Sequence, residues 1–78
     1  MQITEKEKFL KQLGQRLKEF RMVKGYSNHE TFADDLDMTR SQYWEYENGK
    51  KNITVYNLKK IIDKLEIRLD EFFSKGFD

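Results

Sequence analysis

A chain of 78 residues with 15 Lys plus Arg against 14 Asp plus Glu and no cysteine has room for one domain with a thin core, burying only ~60% of the surface its unfolded form exposes. Without cysteine, a disulfide framework, a thiolate zinc site and a thiol nucleophile are excluded; with no apolar run of spanning length and no signal-type apolar stretch in MQITEKEKFLKQ, the expectation is a cytoplasmic protein. A formal net charge of +1 counts mildly against nucleic-acid binding and confines any basic footprint to a local patch.

Proline is absent, and apolar residues recur at helical spacing throughout, so the expected fold is all-α, with five helices packed around one core in about residues 4–74. Phe9, Leu10, Leu13, Leu17 and Phe20 form the stripe of a first helix over about Glu5 to Lys24, opened by Thr4 with Glu7 as a capping box and closed by Gly25. Ser27 with Glu30 repeats the box and predicts a second helix from near Asn28 to near Leu36. Thr39 with Gln42 gives the pattern a third time, so the second and third helices meet across a tight turn at Asp37, a residue that tolerates left-handed backbone. The third helix reaches about Asn48 and stops at Gly49. Thr54 caps a fourth helix whose Val55, Leu58, Ile61, Ile62 and Leu65 are expected to face inward. A short fifth helix, about Leu69 to Ser74, carries Phe72 and Phe73, and the residues after Lys75 read as a tail.

The stretch TRSQYWEYENGKKN, residues 39–52, mixes polar side chains that bond flat edges with large rings. On a helix, Tyr43, Tyr46 and Glu47 fall on one side and Ser41, Glu45 and Asn48 on the other, with Gln42 and Trp44 on the shoulders. One face is therefore core and the opposite face is an exposed polar strip. Two short helices joined by a tight turn match the helix-turn-helix arrangement, in which the second helix enters the major groove of DNA.

The pieces LGQRLKEFRMVKGYS, FADDLDMT, RSQYWEYENGK and LKKIIDKLEIRLDEFF resemble, in register, the helix-turn-helix domains of phage Cro and repressor proteins and their XRE-like relatives. The resemblance implies a compact five-helix domain of the phage-repressor type, and the expected function is that of a sequence-specific DNA-binding transcriptional regulator, a repressor, docking the third helix in the major groove. It implies that Ala33 lets the second and third helices approach, that Met38 plugs the turn into the core, and that Arg21 pairs with Glu47. Base-facing positions correspond to Arg40, Ser41, Gln42, Trp44 and Glu45. Backbone-contacting positions correspond to Asn28 or His29, one residue being extra between Gly25 and Ala33, and to Asn48, Lys50 and Lys51. Asp37 and Glu66 stand where glycines are usual, Ile53 where a proline is frequent, and Arg68 where a capping Ser or Thr is frequent.

Each residue also has a plainer reading. Arg40 can hold guanine O6 and N7 in bidentate fashion, worth about 1–3 kcal/mol of discrimination, or be a solvated arginine at the positive end of a helix dipole. Gln42 can read adenine or complete the Thr39 box; Glu45 can accept from cytosine N4 or simply be exposed. Trp44 can lie on a sugar or thymine methyl, cover core, or anchor a protein partner. Lys50 and Lys51 fit phosphate contacts, or a soluble loop. His29 has no second histidine, and the carboxylates of DDLD lack the glycine and spacing of a calcium loop, so neither a metal nor any other cofactor is expected. No paired acid and base, partnered nucleophile or phosphate-cradling glycine loop points to an enzyme. Phe72, Phe73 and Phe77 suggest a twofold homodimer joined through the carboxyl-terminal end, with closure of the monomer's own core by Phe72 and Phe73 as the alternative. The rival function is a non-catalytic protein-interaction module, antitoxin-like or an adaptor, on the same scaffold; near-neutral charge, Trp44 and Glu45 favour it.

Overall fold

Side-chain oxygens start four of the five helices in the computed structural model, which describes residues 3–77. Met1, Gln2 and Asp78, part of the expected 1–78 domain, lie outside the described residues. Thr4 accepts the Glu7 N–H at 3.1 Å ahead of α1 (Glu5–Lys24). Thr39 accepts that of Gln42 at 3.1 Å ahead of α3 (Arg40–Glu47), and Thr54 that of Asn57 at 3.1 Å ahead of α4 (Val55–Leu65). For α2 (His29–Asp35) the cap is Asn28, which accepts from the Thr31 N–H at 2.9 Å, and not Ser27. Asn caps as well as Ser, so the segment offered two equivalent starts. The seating of Phe32 and Ala33 in the core accompanies the later one.

The fifth helix, α5 (Leu69–Phe72), is shorter than its apolar pattern indicates. Arg68 offers no acceptor at its cap. Asp70 takes the Glu71 N–H at 3.0 Å instead, while the Glu71 carboxylate reaches the Arg68 N–H at 3.5 Å.

The first four helices end alike. In each, the left-handed residue donates to the carbonyl three back, and the next residue donates to the carbonyl five back, the double bond of a Schellman close. These pairs are Gly25 with Tyr26, Asp37 with Met38, Gly49 with Lys50, and Glu66 with Ile67. Glycine occupies that conformation without penalty at two of the four. Asp37 (φ 56°) and Glu66 (φ 58°) occupy it at a cost of roughly 1–2 kcal/mol each. At the α2–α3 turn the close brings Met38 back against Ala33, whose carbonyl its N–H reaches at 3.1 Å, and both side chains are buried. Met38 is thus the plug of the turn.

Leu10, Leu13, Leu17, Phe32, Leu36, Tyr43, Ile61, Ile62, Leu65 and Phe72 make the core. Val55, expected to face inward, is 85% exposed. It is the first residue of α4, where the chain has not yet turned toward the core. The segment after Lys75 is not a free tail: Phe77 lies 5.7 Å from Phe9 and 5.1 Å from Phe73, ring centre to ring centre. Arg16 holds it there, donating to the Phe72 carbonyl at 2.6 Å and to the Lys75 carbonyl, with its guanidinium 4.9 Å over the Phe77 ring. Phe72 is fully buried, so two of the three aromatic rings assigned to a dimer surface are occupied within the protomer.

Helix α1 carries the domain, packing on α3 and α4, while α2 packs on α3 and α5 on α4. The α1–α3 contact is made at backbone distance. A Cβ on Gly14 would stand 2.3 Å from the Glu47 carbonyl oxygen and 2.7 Å from that of Tyr46. About two turns further along, Arg21 Nε donates to Glu47 Oε2 at 2.6 Å and Arg21 Nη2 to Glu47 Oε1 at 3.1 Å, with the two side chains only 5% and 6% exposed. Arg21 Nη1 donates to the Tyr26 carbonyl at 2.6 Å. The pair implied by the family resemblance is therefore a buried, bidentate clamp. Beside it the Tyr43 hydroxyl is buried without a hydrogen-bond partner among the described residues. Burial first, and then the Glu47 carboxylate, push its pKa far above the ordinary phenol range, so it stays protonated.

Two expected outcomes follow from this junction. Gly14→Ala improves intrinsic helix propensity by about 0.8–1.0 kcal/mol, yet it forces α1 off α3 and should destabilise the domain by about 1–3 kcal/mol net of that gain. Arg21→Met and Glu47→Gln should each cost about 3–5 kcal/mol, because the surviving partner is left buried and uncompensated. Thermal and urea melts check both. A shift in either case no larger than that of an exposed control such as Lys18→Ala would contradict the packing.

Candidate nucleic-acid interface

Because the inner face of α3 is filled by Tyr43, Tyr46 and the Glu47 carboxylate, its remaining side chains are left at the surface. Arg40, Ser41 and Asn48 are exposed, Trp44 is 43% exposed, and Gln42 and Glu45 are half-buried. The five residues expected to face bases thus lie along one short helix outside the core. Thr39 points its hydroxyl into the helix start, and the first turn of α3 follows directly from the α2–α3 turn.

Three of these side chains are already engaged. Gln42 Nε2 donates to the Tyr46 hydroxyl at 2.9 Å, and Asn57 Nδ2 from α4 donates to the same oxygen at 2.9 Å. Gln42 is therefore not the reciprocal half of the Thr39 capping box; it is tied to α4 through Tyr46. Asn48 Nδ2 donates to the Trp44 carbonyl at 2.9 Å and so closes the end of α3. Arg40 is gripped by Asp34 through Nε at 3.1 Å and Nη2 at 2.7 Å. This contact holds the exposed Asp34 carboxyl below the usual carboxylate range.

Around the helix, Asn28 lies at the start of α2, its side-chain oxygen committed to the cap, and His29 is half-buried with Nδ1 3.3 Å from Glu30 Oε1. Lys50 and Lys51 follow α3 directly, are exposed, and make no ion pair among the described residues. They are cations free to meet phosphate. Of the carboxylates of α2, Asp34 is paired with Arg40 and Asp35 accepts from the Tyr26 hydroxyl at 2.7 Å.

Reasoning from the residues alone missed Asn57, Asp34 and Gly14. Asn57 had no signal, since only the fold brings α4 beside Tyr46. Asp34 had a weak one: a cation at the first position of a helix meets the positive dipole end and gains from a carboxylate nearby. Gly14 had a clear one, an isolated glycine inside a helical pattern, which marks a close approach. No group of three metal-ligating side chains occurs among the described residues, and no helix there is long and apolar enough to cross a membrane.

This geometry has parallels in known proteins. A helix-turn-helix family model matches residues 17–72. The chain is 43% identical over 61 residues to the control protein C.MunI of a Mycoplasma species, covering 78% of this chain and 82% of that protein. It is 41% identical over 63 residues to the SPbeta prophage-derived uncharacterized HTH-type transcriptional regulator YonR of Bacillus subtilis strain 168, covering 81% of this chain and 56% of that one. The crystal structure of the restriction-modification controller protein C.AhdI from Aeromonas hydrophila superposes with a TM-score of 0.75 at 36% identity, covering 82% of this chain and 96% of C.AhdI. A capped third helix held across a four-residue turn, matched over most of the chain at this identity, places the protein in the helix-turn-helix family of sequence-specific DNA-binding transcriptional regulators.

Proposed function

We propose that this chain is a repressor that binds its operator as a twofold homodimer, each protomer laying α3 in the major groove, and that it acts in the cytoplasm without catalysis. The observation that carries this reading is the division of α3: an inner face locked into the core, an outer face carrying Arg40, Ser41, Trp44 and Glu45, and two lysines just past its end that make no ion pair among the described residues. That order suits a helix whose first turns meet base edges while the phosphate backbone passes its far end. Gln42, held through Tyr46, would present its amide oxygen as an acceptor, and Asn28, His29 and Asn48 would meet phosphates at the rim. Occupying a groove and its flanking phosphates excludes other proteins from the same stretch, which is repression in its simplest form. Two of the similar proteins are named as a control protein and a restriction-modification controller, which supports a regulatory role.

For the dimer, Leu69 (52% exposed) and Phe73 (36% exposed) are the apolar residues that α5 and its end leave at the surface once Phe72 and Phe77 are taken up by the protomer. A self-complementary patch of this sort is what a twofold contact uses, and two half-sites would then lie about 34 Å apart.

Selection from random duplexes, followed by titration at several salt concentrations, tests the reading. Arg40→Ala should lose about 1–3 kcal/mol and relax preference at one base pair. Lys50→Ala should weaken all duplexes alike and reduce the salt slope by about one counterion. Binding with no sequence preference, accompanied by capture of a protein partner through Trp44, would replace this reading with that of an interaction module. Sedimentation at tens of micromolar should show a dimer for the wild type and a monomer for Phe73→Ser; a monomeric wild type would remove the dimer.

A further inference from the structure

Resting on the reading of α3 as the base-reading helix, we propose that Asp34 is the positioning residue for Arg40, holding its guanidinium in the one orientation that offers a free edge to a base. The guanidinium of an arginine offers two paired-donor edges in a single plane, a side edge of Nε with Nη2 and an end edge of Nη1 with Nη2, its remaining edge being blocked by Cδ. Asp34 occupies a side edge, taking Nε at 3.1 Å on one oxygen and Nη2 at 2.7 Å on the other. The end edge, formed by Nη1 and the second hydrogen of Nη2, has no partner among the described residues. That edge spans the O6 and N7 acceptors of guanine. Because the group is rigid and planar, fixing the side edge fixes the plane in which the end edge lies, and the freedom of a long side chain need not be lost on binding.

The carboxylate is itself well placed for this. Asp34 sits in the last turn of α2 and Arg40 is the first residue of α3, so the pair crosses the turn whose backbone closure sets the spacing of the two helices. The neighbouring acids are not alternatives: Asp35 is bonded to the Tyr26 hydroxyl, and Asp37 makes no side-chain hydrogen bond among the described residues. The pair is open to solvent, with 60% of the Arg40 and 51% of the Asp34 side chain exposed. Exposed pairs add little to folding stability, so a substitution here leaves the fold intact.

A carboxylate near DNA could instead act only as a charge that repels phosphate, and the two roles separate cleanly. Wild type, Asp34→Asn, Arg40→Ala and the double variant are titrated against the selected operator and each of its single base-pair substitutions. If Asp34 positions Arg40, Asp34→Asn loses on the order of tenfold discrimination at the base pair that Arg40→Ala relaxes, keeps it elsewhere, and adds nothing in the double variant. If all duplexes tighten or weaken by a common factor with discrimination retained, Asp34 is only a charge and the proposal is overturned while the reading of α3 stands. In the DNA-free protein, the Arg40 Nε–H resonance should exchange slowly with solvent in the wild type and rapidly in Asp34→Asn; equal rates would remove the anchor whatever the DNA result. A wild type that selects no sequence overturns the proposal together with the reading of α3 beneath it.

Discussion

The contact between α1 and the end of α3 governs the rest of the molecule. Helix α3 has eight residues, too few to hold a helix in water by itself, so its position and its very existence depend on packing. Gly14 admits the α3 backbone to the surface of α1, and the Arg21–Glu47 bonds fix how far along and at what rotation it rests. The same guanidinium holds the Tyr26 carbonyl in the segment that leads into α2, and the Tyr26 ring packs on Phe32. One buried cation therefore joins three parts of the chain. Ion pairs of this kind recover their desolvation cost only with good geometry, and replacing both partners by apolar groups is often harmless. Here the two charges fix the register of α3, a matter of orientation as much as of stability.

With the inner face pinned, the outer face can vary in chemistry without disturbing the fold. The tie from Gln42 through the Tyr46 hydroxyl to Asn57 extends the fixing of α3 to α4. Arg40 is braced against α2 by Asp34, whereas Lys50 and Lys51 make no ion pair among the described residues. The net charge of +1 conceals this arrangement, since what acts on a ligand is the local distribution of charge and not its sum.

The helix ends reflect how little chain connects them. Each of α1 to α4 finishes in the same left-handed close, which satisfies its last carbonyls and turns the chain within two residues. Where Asp37 and Glu66 take the place of glycine, the residue that follows is packed against the core: Met38 is buried behind Asp37, and Ile67 packs on the core behind Glu66. At the carboxyl-terminal end Arg16 does comparable work, satisfying carbonyls that α5 is too short to satisfy for itself.

Legible in the order of residues were the all-α class, the span of α1, the Thr4, Thr39 and Thr54 caps, the stops at Gly25 and Gly49, and the residues placed along α3. All of these rest on near-neighbour chemistry: helical period, capping and glycine conformation operate within a few residues and leave local marks. The Arg21–Glu47 pair was also legible, through the family resemblance that implied it and the place of Glu47 on the same side of α3 as Tyr43 and Tyr46. The tertiary structure alone decided the choice of Asn28 over Ser27 as cap, the exposure of Val55, the return of Phe77 onto Phe9, the loss of the Thr39–Gln42 box to Tyr46, and the bond from Asp34 to Arg40. Near-neighbour preference does not single out any of these arrangements. The selecting contact came from a residue distant in sequence or across a turn, and such contacts leave no periodic trace in the chain.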